Sequence, residues 1–199
     1  DDPYNEEEVL THLDIAHSII VDKLGRDCKM LARPDGNDTY IKAGTRYPSV
    51  LTMTTESGGS TLYPYQDTEL YKIPVQRSFY APSPTVSDPR NDPERIKEAI
   101  LNELSKPEKE RMAINVVHGT DGEWVDFFVW LNDEYGKDGQ DNMWMPSQEE
   151  YYEYTYYRTH GTVETRRTDD YTLELTVTLP EGMSCYYPAI TVNLQNLQT

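Results

Sequence analysis

Apolar side chains recur at Val9, Leu13, Ala16, Ile20 and Leu24, with Leu10 and Ile19 alongside, and this 3.6-residue period predicts an amphipathic helix over residues 5–24. Glu6, Glu7 and Glu8 complement the positive end of its dipole, and Gly25 fits the position just past its carboxyl end. A short strand over residues 28–32 follows, then a turn, Arg33-Pro34-Asp35-Gly36-Asn37, whose proline and glycine fix the backbone. The pattern next predicts a short helix over 38–47, a strand over 49–53 and an exposed loop over 56–60. Residues 64–93, rich in proline and tyrosine, have one strand candidate, 70–76.

Asp92 is a good helix cap, Pro93 suits a first helical position, and Ile96, Ala99, Ile100 and Leu104 form an apolar stripe ending before Pro107. Ile114, Val116 and Val117 read as a buried β-branched strand, closed by turn chemistry at Gly119–Gly122. Trp124, Phe127, Phe128, Leu131 and Tyr135 lie at helical spacing, which makes them core rather than a binding box. Gly136–Gln140 breaks that helix, residues 141–145 read as a strand, and Ser147 with Glu150 forms a capping box opening a tyrosine-rich helix to about Arg158. After Gly161 the period changes from 3.6 to 2. Residues 162–167, 171–179 and 189–194 then alternate as antiparallel strands, with Leu173, Leu175, Val177 and Leu179 on one face. The expected organisation is an α/β domain over residues 1–158 followed by a β-rich extension over 159–199.

Composition narrows the function classes. Eighteen Lys plus Arg stand against thirty-five Asp plus Glu, a net charge of −17 that would repel a phosphate backbone, so nucleic acid is not an expected partner. Sixteen tyrosines against three phenylalanines suit a cleft that contacts carbohydrate, and equally suit tyrosine-rich strands. No apolar run has the length of a membrane span. Cys28 and Cys185 are far apart, lack metal-ligand spacing, and leave the redox compartment and their own pairing open.

The chemistry-bearing positions are strand ends. Arg33 and His118 each follow a strand at the point where it meets solvent, and the carboxyl ends of parallel strands are where α/β folds collect ligand chemistry. An arginine that orients a carboxylate base and a histidine that protonates a leaving group suit ester or amide hydrolysis. A histidine that merely caps a strand gives the same pattern.

The passage from Glu6 to Gly36, a helix followed by KLGRDCKMLARPDGN, looks like the part of NodB-type polysaccharide deacetylases (carbohydrate esterase family 4) that follows the metal-binding histidine motif and runs into an arginine-proline turn. The strand INVVHG resembles the family's later strand ending in the catalytic histidine. YGKDGQDNMWMPSQEEYYEYTYYR is similar in layout to the closing strand and helix of secreted members. This resemblance covers roughly residues 6–158 and implies an incomplete β/α barrel-like core, with the antiparallel β extension after it. It makes Arg33 the arginine that holds the catalytic aspartate and His118 the general acid, with Pro34, Asp35, Gly36 and Trp144 contacting a glycan substrate. It also implies a divalent metal, zinc being the family's expected choice, and a secreted, periplasmic or cell-surface location.

Departures matter as much. The family's Asp-Asp and His-Ser/Thr-x-x-His motifs should lie before Asn5, so no metal ligands are assigned in this chain. His12 and His17, five residues apart, do not share a helix face, and the family's tryptophan-bearing motif is not evident between Tyr71 and Asp92. The chain is therefore expected to be either a fragment of a longer deacetylase, inactive by itself, or a degenerate relative that binds glycans without hydrolysing them.

Overall fold

The computed structural model describes residues 5–33, 37–55, 61–62, 73–80, 93–111, 113–117, 123–182 and 184–192. The elements among these residues, in chain order, are α1 (Glu6–Leu24), β1 (Met30–Arg33), α2 (Asp38–Arg46), β2 (Thr52–Thr55), β3 (Thr61–Leu62), β4 (Ile73–Tyr80), α3 (Pro93–Ser105), β5 (Ala113–Val117), α4 (Glu123–Tyr135), α5 (Gln148–His160), β6 (Thr162–Arg167) and β7 (Leu173–Thr178), with a 3-10 turn at Glu108–Glu110. They divide into two compact units, Asp1–Met145 and Pro146–Thr199. The α/β character read from the sequence is present. Among the described residues the strands form three short sheets, none closed into a barrel.

In the first unit, α1 begins at a reciprocal capping box between Asn5 and Glu8 and ends at Gly25, whose φ of +67 is the left-handed conformation that glycine adopts readily because it lacks a Cβ. Its inward stripe is Val9, Leu13, His17 and Ile20, with Leu10 at the margin. Ala16 and Leu24, expected on that face, point out, Leu24 being 65% exposed. A polar residue, His17, occupies a position that the apolar period alone would not select. Val50, Met53 and Tyr47 form the core beneath, with Leu10, Leu13, Leu31 and Ile41 packed against it.

β1 and β2 pair in parallel from Met30↔Thr52 to Arg33↔Thr55. The start of the ladder is fixed by the Lys29 carbonyl, which accepts from the N–H groups of both Leu51 and Thr52 at 2.8 and 3.1 Å. Parallel neighbours need a crossover, and α2 supplies it. Asn37 caps α2 by accepting from the Thr39 N–H, and the buried Ala43 and Gly44 face the strands. A Cβ at Gly44 would collide with the Met53 methyl and stand 3.0 Å from Leu31 Cδ2, so the close approach of helix to strands requires glycine here.

β4 pairs antiparallel with β3 and parallel with β5, where Tyr80 faces Val117. α3 and α4 build the second core, Ile96, Ile100, Trp124, Phe127 and Leu131, with Ile114 of β5 packed on it. Of the α4 aromatics expected in the core, Trp124 and Phe127 are buried and meet edge-on and Tyr135 packs against them half-buried, whereas Phe128 is exposed. The strand expected at 141–145 does not form. The Gly136 carbonyl accepts from Gly139 and Asp141, and the Tyr135 carbonyl from Asn142 and Met143, so this backbone bonds back to the end of α4 instead of joining a ladder.

In the second unit, the Ser147 hydroxyl caps α5 by accepting from the Glu150 N–H. β6 and β7 form an antiparallel hairpin from Thr162↔Thr178 to Arg167↔Leu173. Its turn is held by Asp169, which accepts from the Tyr171 N–H, and by Arg167, which donates to the Asp169 and Asp170 carbonyls. The third strand expected at 189–194 is absent over 189–192, where the Ala189 N–H turns onto the Tyr187 carbonyl; residues 193 and 194 lie outside the described residues.

That final segment is anchored by Glu153, fully buried on α5, whose Oε2 accepts from the N–H groups of both Tyr186 and Tyr187 at 2.8 Å. Two bonds to one buried carboxylate predict that Glu153→Ala costs about 3 kcal/mol, and Glu153→Gln, which keeps an acceptor, about 1 kcal/mol. Denaturant unfolding gives the loss. Faster hydrogen exchange at the Tyr186 and Tyr187 amides localises it, and unchanged exchange there would contradict the assignment.

Candidate functional site

The sequence-derived site belongs to two parallel strand pairs. Parallel pairing puts the carboxyl ends of β1 and β2 side by side, so the Arg33 and Thr55 backbones are neighbours in register. In the same way Tyr80 and Val117 end β4 and β5 together, one residue before His118. His118 itself, with Pro34, Asp35 and Gly36, lies outside the described residues. Trp144 sits in the irregular segment between α4 and α5 and is 49% exposed, with Met145 beside it also exposed. Among the described residues, no group of three His, Cys, Asp or Glu side chains is placed to hold a metal ion.

At the opposite, amino-terminal end of β1 and β2 lies a polar cluster that the sequence reading did not assemble. Asp14 and His17, three residues apart on α1, share a face. The Tyr47 hydroxyl donates to Asp14 Oδ1 at 2.9 Å. The His17 ring stands edge-on to Tyr47 at 5.8 Å, with Ser49 Oγ 3.4 Å from Nδ1 and Asp27 Oδ1 3.6 Å from Nε2. Serine, histidine and aspartate are the residue types of a nucleophilic hydrolase. Both contacts are longer than the roughly 2.6–3.2 Å of a nucleophile paired with its base, and the cluster lies away from the strand ends where such chemistry collects. Its work is to dock α1 onto the α2–β2 turn, assisted at the surface by Arg46 bonding to Glu6 and Glu7.

Burial, and then the bond to Asp14, push the Tyr47 hydroxyl up to about 12 from its ordinary value near 10. The folded chain thus holds this proton more tightly than the unfolded chain. Its stabilising effect is complete below about pH 10 and is lost as pH rises toward 12. Tyr47→Phe is expected to cost about 1–2 kcal/mol at neutral pH and to flatten that alkaline loss. Thermal unfolding of both proteins from neutral pH to pH 12 checks this, and an unchanged alkaline slope would refute it.

A described helix long and apolar enough to cross a membrane does not occur. Neither Cys28 nor Cys185 is in a disulfide. No curated protein matches the chain. A family model does, over residues 1–199, and its description is "Putative polysaccharide deacetylase". With a match along its full length, the chain belongs to that polysaccharide deacetylase family.

Proposed function

We propose that this protein acts on an acetylated glycan and contributes to removing its acetyl groups by hydrolysis. The observation that supports the reading most is the family match over the whole chain, joined to the parallel pairing that sets Arg33 at a strand's carboxyl end and brings β5 to its last residue just before His118. In this reading Arg33 orients a carboxylate that takes the proton of the attacking water, and His118 returns a proton to the departing amine or alkoxide. Pro34, Asp35 and Gly36 form a wall of the substrate groove, and Trp144 offers an aromatic face to a sugar ring. The described residues do not fit a metal site, so these roles concern proton transfer and substrate contact alone. A divalent ion such as zinc remains part of the proposal through the family resemblance, as does a location outside the cytoplasm.

The exposure of Trp144 also supports a second reading, a module that binds glycans without hydrolysing them. Acetate release from chitin and peptidoglycan oligomers separates the two, in the 199-residue chain and in a form extended upstream. Where acetate is released, His118→Ala is expected to lower kcat roughly a hundredfold or more, and Trp144→Ala to raise KM while leaving kcat close to the parent value. Unchanged kcat in His118→Ala removes the general-acid assignment. Oligosaccharide binding that depends on Trp144, without acetate release, favours the binding module.

A further inference from the structure

Among the described residues, β6 pairs with β7 alone, and all six of its residues are exposed. A two-stranded hairpin with so little cover is marginal in water, and its free edge is a template for another strand. The hairpin's register shows which groups that edge offers. The Thr168 N–H donates to the Thr172 carbonyl at 3.1 Å, on the same diagonal as Thr162↔Thr178. Hydrogen-bonded pairs alternate in an antiparallel ladder, so Thr162, Glu164 and Arg166 turn their backbone groups toward β7. Val163, Thr165 and Arg167 turn theirs outward.

We propose that β6 pairs antiparallel with β6 of a second copy of this chain, about a two-fold axis at Thr165. Outward groups can meet outward groups only in registers centred on a residue. Centring on Glu164 opposes glutamate to glutamate, and centring on Arg166 opposes arginine to arginine. Centring on Thr165 sets Glu164 opposite Arg166 of the second copy, and symmetry repeats the pair. Charges on an edge strand ordinarily repel a newcomer; here the mixed signs admit one register and reject its neighbours.

The second face carries an apolar argument of its own. Val163 lies directly across from Val177, and Thr165 across from Leu175. Val163 is 54% exposed and Leu173 is 43% exposed. Pairing through β6 joins two such faces into one four-stranded surface. The β7 edge has no comparable charge match, since Glu174 is its one charged residue, and Leu175 and Val177 are half-buried.

The test is a charge exchange read by sedimentation velocity over a concentration series at about 0.15 M salt, where only close pairs escape screening. The parent protein is expected to show a monomer–dimer equilibrium. Glu164→Lys, facing the uncharged Thr176 within its own hairpin, shifts it to monomer. Arg166→Glu combined with Glu174→Lys preserves the cross-strand charge pair inside the hairpin and is likewise monomeric. Mixed in equal amounts, these two variants regain the dimer, because each supplies the charge that the other lacks. A monomeric parent, variants that dimerise like the parent, or a mixture that stays monomeric would each overturn the proposal. A measurement on the parent protein alone guards against misfolded variants: the amides of Val163, Thr165 and Arg167 should exchange more slowly as concentration rises, and concentration-independent exchange there overturns it as well.

Discussion

The first unit depends on how closely α2 can lie against the parallel pair β1–β2. A parallel pair cannot be closed by a tight turn, so its helix must cover one face of the strands at short range. Gly44 permits that range, since any side chain there meets Met53 and Leu31. With α2 seated, Tyr47 and Ser49 are delivered to the amino-terminal end of the strands, where His17 and Asp14 meet them, and Arg33 is left at the other end. The two ends therefore differ in what surrounds them. One holds α1 through its polar groups, and at the other β1 and β2 simply end side by side.

Helices were the most legible part of the sequence because their signals are local. The cap at Ser147, the glycine after Leu24, and the stripe Ile96–Ile100–Leu104 all function as read, while the cap at Asn37 is seen only in the structure. Face assignments were harder. α1 shows why: Leu24 and Ala16 obey the apolar period but point outward, because the helix turns to place His17 against Tyr47, a contact made 30 residues later in the chain. Strand readings failed at 141–145 and 189–192 for one physical reason. An extended-looking sequence becomes a strand only if its N–H and C=O groups find a ladder, and here they find a helix end in one case and, in the other, a carbonyl two residues away.

Of the candidate positions, what was legible is where their strands run. Arg33 could be placed at a strand end from the turn that follows it, and the β5 strand before His118 from its β-branched run. The polar cluster around His17 could be half anticipated, from the three-residue spacing of Asp14 and His17. Its other members come from loops that sequence periodicity does not order. Buried Glu153 left no local mark at all, since a glutamate in a helix ordinarily reads as a solvated face.

Glu153 also bears on the order in which the second unit assembles. α5 is stabilised by contacts within a turn, and β6–β7 by a hairpin with a short loop, so both can form without bringing distant residues together. Residues 184–192 have no strand or helix of their own and are held to α5 across separations of 33 and 34 residues. Closing a loop of that length costs on the order of 3 kcal/mol in chain entropy beyond a constant term. The closing contact is consequently a late one, formed once α5 exists to present its carboxylate, and the last segment of the unit follows the helix in time as it does in sequence.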